Sequence, residues 1–164
     1  MKNNNSVKTG KKHKILFVCL GNICRSPAAE GILQAIVDRN GRTGDFLIDS
    51  AGTYSGHRGD LPDRRMRSAA ARRGYVLTHR ARPVTMTDFF DFDLIIAMDD
   101  SNFTDLMHLA PSVETSRKIK RMSAYFSGHT FDHVPDPYYM GADGFELVLD
   151  LLEDACNNLY LCLE

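Results

Sequence analysis

Cys19 and Arg25 bracket five residues in the segment Cys19-Leu20-Gly21-Asn22-Ile23-Cys24-Arg25-Ser26-Pro27. A loop of this size between a strand and a helix can wrap its backbone N–H groups around one tetrahedral anion, with the following helix adding its positive end. That field and the adjacent guanidinium favour thiolate over thiol at Cys19, while Arg25 can grip two equatorial oxygens in a fork that lysine cannot reproduce. The segment reads as a phosphate cradle with a built-in nucleophile. A Walker loop needs Lys-Ser or Lys-Thr at its helix start, and this segment has neither. A Cys and an Arg six apart are weak on their own, because a strand-end Cys is commonly just a buried residue. The context carries the reading.

That context is an alternating order of strands and helices. Lys14 to Cys19 is a short apolar run, Gly21-Asn22 is turn-like, and Pro27 to Asp38 has helical spacing, with Ser26 expected as its cap and Pro27 in its first turn. Further strands are expected at Phe46–Ile48, Asp93–Met98 and Lys118–Met122, and helices near 62–73, 85–90, 101–109 and 143–162. The last helix carries a stripe of Phe145, Val148, Leu149, Leu152, Cys156, Leu159 and Leu163. The expected fold is a single α/β domain. Its four-stranded parallel sheet is flanked by helices on both faces, with the phosphate-binding loop between strand 1 and helix 1.

Residues 1–13 are expected to form a mobile basic tail, because residues 1 to 14 hold five lysines and no acid; the domain is expected over 14–164. The chain of 164 residues has a formal charge of -1, which excludes a polybasic nucleic-acid binder on bulk charge. Residues 15–164 carry fifteen basic and twenty-one acidic side chains, yet residues 58 to 82 hold eight arginines against Asp60 and Asp63. Such a patch reads as a solvated face, and it also steers anions. No apolar run approaches the ~18 residues a membrane span requires, and Ile15 to Leu20 is too short for a secretory core, so a cytoplasmic protein is expected. Four cysteines at 19, 24, 156 and 162 do not make a disulfide scaffold; Cys156 and Cys162 are expected in the core.

The loop Val18 to Pro27 resembles the signature of the low-molecular-weight protein tyrosine phosphatase family throughout. Asp136-Pro137-Tyr138-Tyr139 is similar to the family's general-acid loop, and Asp49 to Thr53, Leu77 to His79 and Ala97 to Asn102 also look like the family, so that the resemblance covers about residues 13 to 163.

The resemblance implies hydrolysis of phosphotyrosine, in proteins and in small aryl phosphates, through a cysteinyl-phosphate. It makes Cys19 the nucleophile, Arg25 the phosphate clamp and Asp136 the general acid, a residue that as Asp before Pro would otherwise read as a turn former. Leu20, Gly21, Asn22, Ile23, Cys24, Arg25 and Ser26 become the phosphate site, also open to inorganic phosphate, sulfate or vanadate. Asn22, Ser26, Ser50 and His79 become the network that shapes the loop, although His79 reads equally as a satisfied core histidine. Tyr138 and Tyr139 become an aromatic wall, and Cys24 a thiol able to trap oxidised Cys19. The resemblance implies no cofactor, no metal, no nucleic acid, no membrane, and a monomer.

There is one departure. Where many relatives carry Trp or Tyr, this chain has Gly56, followed by His57, and Tyr54 is the available substitute. Ile23 is similar to tyrosine-specific members, whereas arginine-phosphate-specific relatives carry Thr. An arsenate reductase on the same fold needs further cysteines, and residues 26 to 155 contain none; a silent phosphate-binding module would be expected to lose Cys19 or Asp136. His129 and His133 lie in a segment that reads as loop rather than as a metal-binding helix, and Phe89, Phe90 and Phe92 read as core or pocket floor.

Overall fold

Alternate side chains of the first strand, β1 (His13–Cys19), enter two different cores. Ile15, Phe17 and Cys19 pack on one side, while Leu16 and Val18 pack on the other, as the two-residue period of a strand requires. A strand buried on both faces reads as a continuous apolar run, which is what the sequence has here. The computed structural model describes residues 11–164, so most of the expected basic tail lies outside the described residues. His13 already belongs to β1, where its ring lies 5.1 Å from that of Phe46.

The other strands are β2 (Phe46–Gly52), β3 (Leu94–Ala97) and β4 (Ile119–Arg121), and all pairings are parallel in the order β2-β1-β3-β4. Helices α1 (Arg25–Arg39), α2 (Arg64–Arg72) and α6 (Ala142–Cys162) cover one face around Leu33, Met66, Phe145 and Leu152. The short α3 (Asp88–Asp91) and the longer α4 (Asp100–Leu109) cover the other, with Phe89 and Leu106 inside it. A one-turn helix, α5 (Val113–Ser116), precedes β4.

Four expectations are corrected. Strand β2 runs four residues beyond Ile48, because Asp49 and Ser50 pair with Leu16 and Phe17 even though their polarity interrupts the apolar run. Cys24, not Ser26, is the residue preceding the first turn of α1, and it makes no side-chain cap, because the Ser26 hydroxyl is engaged elsewhere. Cys156 is buried but Cys162, at the last position of α6, faces solvent. Phe89 and Phe92 are core, whereas the tight turn of α3 directs Phe90 outward.

The order of strands reverses between β1 and β3, and in open parallel sheets the crevice outside the carboxyl ends at such a point is the natural ligand site. Cys19 ends β1, Gly52 ends β2, and Asp99 follows β3 by two residues. Three carboxyl ends therefore converge where the loop stands.

Candidate active site

The cradle is built by tying its carbonyls outward. Cys19 O accepts from Thr53 N at 3.0 Å, Leu20 O from Tyr54 N at 2.9 Å, and Ile23 O from Asp63 N at 2.7 Å. The N–H groups of residues 20 to 24 meanwhile donate to nothing among the described residues. Unpaired consecutive amides at a helix start form an anion nest.

Asn22 turns the loop, with φ at +57°, a left-handed conformation that Asn tolerates better than most side chains. Its side chain is fully used. Nδ2 donates to Ser26 Oγ at 2.8 Å and Ser50 Oγ at 3.0 Å, while Oδ1 accepts from Arg82 N at 3.0 Å and faces His79 Nε2 at 2.9 Å. Ser26 Oγ lies 3.0 Å from Cys19 Sγ. The four residues expected to support the loop are thus one connected network, and it reaches the sulfur.

The network continues into residues that the sequence reading missed. Ser50 Oγ donates to Glu30 Oε1 at 2.9 Å, and Glu30 and Asp49 approach His79 Nδ1 at 3.2 and 3.4 Å. Burial pushes the Glu30 carboxyl up to about 7, partly opposed by the Ser50 hydrogen bond. Burial also draws the His79 imidazole down, against the charge of Asp49. Arg82 bridges Asp49 and Asp88 at 3.0 and 2.9 Å, fixing the segment whose amide holds Asn22. Glu30, Asp49 and His79 place donor atoms within 4.8 Å of one another, the one such trio among the described residues; Arg82 already supplies its positive charge. His129 and His133 do not pair with each other, facing Asp154 and Asp132 respectively.

Arg25 is 2% exposed. Its Nη1 donates to Asp99 Oδ2 at 2.6 Å and to the Val134 carbonyl at 2.9 Å, and its Nη2 lies 3.7 Å from Asp136 Oδ2. Burial works against its charge, but Cys19, Asp99 and Asp136 outweigh it and the Arg25 pKa is raised. A buried cation is held this way only when paired and hydrogen-bonded. Asp99 serves two purposes, since its Oδ1 also caps α4 through Asn102 N at 2.8 Å. Its position just after an apolar strand was the available signal.

Asp136 lies across the mouth, its Oδ1 accepting from Tyr138 N at 3.0 Å. Cys19, Leu20, Gly21, Ile23, Cys24 and Arg25 line a cavity of about 280 Å³ with Asp136, Tyr54, His57, Tyr138 and Tyr139. Tyr54 and His57 form one wall, their rings edge to face at 6.2 Å. Tyr138 and Tyr139 form the other, with centroids 5.0 Å apart. The tyrosines expected from the sequence are all here; His57 was not expected. Cys24 is buried, and burial together with Asp63, Cys19 and Asp136 pushes its thiol up. The arrangement offers a sulfur, a cationic nest and a carboxyl around one slot with aromatic sides.

A family model described as "Low molecular weight phosphotyrosine protein phosphatase" matches residues 14–164. A Synechocystis relative, named only provisionally as a low molecular weight protein-tyrosine-phosphatase, is 50% identical over 150 residues, covering 92% of this chain and 96% of its own. The low molecular weight protein-tyrosine-phosphatase of Streptomyces coelicolor is 39% identical over 150 residues, covering 90% and 91%. Among solved structures, a protein tyrosine phosphatase from Entamoeba histolytica with Hepes in the active site superposes with a TM-score of 0.90 at 45% identity, over 93% of this chain and 97% of that one.

Proposed function

Because the chain belongs to the low molecular weight phosphotyrosine protein phosphatase family, whose members work through a cysteine, we propose that Cys19, Arg25 and Asp136 divide the hydrolysis of phosphotyrosine between them. The Cys19 thiolate attacks phosphorus, and the S–P bond forms as the P–O bond to the tyrosine breaks. Asp136 gives its proton to the departing phenolate. Asp136, now a carboxylate, takes a proton from the water that attacks the cysteinyl-phosphate, releasing inorganic phosphate and restoring the thiolate. Arg25 and the amides of residues 20 to 24 hold the equatorial oxygens through both steps.

The observation that carries this reading is the pairing of Arg25 with Asp99 behind and Asp136 in front, beside five unpaired amides. A guanidinium fixed at its back presents its remaining N–H groups in one orientation. Phosphotyrosine fits the slot because its ring can lie between Tyr54 and Tyr138 while its phosphate reaches the sulfur. No described helix is long and apolar enough to cross a membrane.

Cys19→Ser is expected to abolish p-nitrophenyl phosphate turnover while leaving inorganic phosphate binding measurable; retained turnover would refute the nucleophile. Peptides bearing phosphotyrosine, phosphoserine and phosphoarginine test the substrate, and phosphotyrosine is expected to lead. Preference for phosphoarginine would overturn that part.

A further inference from the structure

Arg64, Ser68 and Arg72 stand four apart on one face of α2, and that face walls a second cavity of about 500 Å³ with Met140 and Phe145 on its opposite side. This groove adjoins the active site. Arg65 lines this second cavity and touches Tyr138 in the wall of the first, donating to the Tyr138 carbonyl at 3.1 Å and stacking 5.3 Å from the Tyr138 ring and 4.8 Å from Phe145. A chain whose phosphotyrosine occupies the first slot has the second within reach past Tyr138.

The groove's charges are unevenly matched. Asp63 answers Arg65, and Arg72 shares Glu146 with Arg73. Arg64 has no carboxylate partner among the described residues. Residues 15–164 are acidic in sum, yet residues 58 to 82 hold eight arginines, and Arg64, Arg65 and Arg72 of these line the groove. Arg64 stands near Arg65 and Arg72 with no carboxylate of its own, and an anionic ligand would supply one.

We propose that this groove takes an acidic segment of the substrate protein adjoining its phosphotyrosine, with Asp or Glu side chains pairing with Arg64 and Arg72 and their stems lying on the half-exposed Met140. It rests on the phosphotyrosine reading above and adds a preference for sequence around the phosphorylated residue. Arg64 and Arg72 are positioning residues, remote from the sulfur.

The test uses phosphotyrosine peptides with three Glu or three Gln on the N-terminal side, and a second pair with them on the C-terminal side. One pair is expected to show a Glu-over-Gln advantage of about three- to tenfold in kcat/KM, carried by KM and shrinking as salt is raised. Arg64→Glu should reverse it, so that a Lys peptide outperforms its Glu counterpart, and Arg72→Gln should reduce it. Arg117→Glu, which lines neither cavity, should leave the ratio unchanged. A Glu/Gln ratio within about twofold of unity in both pairs, or one that survives Arg64→Glu, overturns the proposal. Because the readout is a ratio, a partly unfolded variant does not move it. Failure of the wild-type enzyme on the Gln peptides and on p-nitrophenyl phosphate together would instead overturn the phosphatase reading, and this proposal with it.

Discussion

The ring of Tyr54 lies against Gly56, where a Cβ would stand 2.2 Å from two ring carbons and from the phenolic oxygen. The missing aromatic at position 56 is therefore what lets the tyrosine two residues earlier lie along the pocket wall. At 55% exposure the ring is free to swing, so a side chain at 56 displaces it rather than unfolding the loop. Gly56→Ala is expected to leave thermal stability within about 0.5 kcal/mol and to raise KM for aryl phosphates about three- to tenfold. Gly56→Trp should restore an aromatic wall and recover part of that loss. Unchanged KM in the alanine variant would mean that Tyr54 does not line the bound ring.

Gly52 ends β2 with its α-carbon against the loop, and a Cβ there would stand 2.6 Å from Leu20 O and 3.1 Å from Asn22 N. Both are backbone atoms, so neither can turn aside. Gly52→Ala is expected to cost about 1–3 kcal/mol in urea denaturation and more than about tenfold in kcat/KM, through displacement of the cradle. Wild-type kinetics in a folded variant would show the loop to be looser than this contact implies.

Asp99 both anchors Arg25 and caps α4. Asp99→Asn retains a capping oxygen and removes the charge, so its stability loss should be the smaller. Asp99→Ala, which also loses the cap, is expected to cost about 3 kcal/mol or more. Both should weaken phosphate binding, measurable by calorimetry, because Arg25 loses the partner that fixes its orientation.

The Glu30 carboxyl, raised to about 7 from an unfolded value near 4.5, binds its proton more tightly in the folded chain. Its contribution to stability is complete below pH 4.5 and is lost as pH rises through about 7. Relative to Glu30→Gln, the wild-type protein should therefore lose roughly 2–3 kcal/mol across that window. Paired melting curves from pH 4 to 8 check the sign; a difference growing in the wild type's favour with pH would show that Glu30 is stabilised as the anion.

Cys24 shares the cavity with Cys19, and its raised pKa keeps it a thiol at neutral pH. If peroxide converts Cys19 to its sulfenic acid, condensation with Cys24 gives a disulfide and water. Peroxide-treated wild type is expected to recover with dithiothreitol, and Cys24→Ser to recover far less. Equal recovery would remove Cys24 from that role.

Much of the architecture was legible because β1 and β3 are short continuous apolar runs and α1, α4 and α6 carry helical spacing. Lengths were less legible: β2 extends through Asp49 and Ser50, whose side chains serve the loop rather than the core, and the helix expected near 85–90 is the single turn α3, too short for a period to set its bounds. The loop itself could be read as a cradle because Cys19, Asn22, Arg25 and Ser26 are contiguous and their chemistry is local.

The sequence by itself determined the loop that sets the Cys19 thiol and the Arg25 guanidinium about one turn, since a strand, an anion-sized loop and a helix follow from neighbouring residues. Only the tertiary structure decided what holds them: Asp99 from the end of β3 behind Arg25, Glu30 and Arg82 behind the Asn22 network, and Tyr54 in the space Gly56 leaves open. Those partners are brought together by the parallel crossovers of the sheet. A contact between residues 74 apart leaves no periodic mark on either segment.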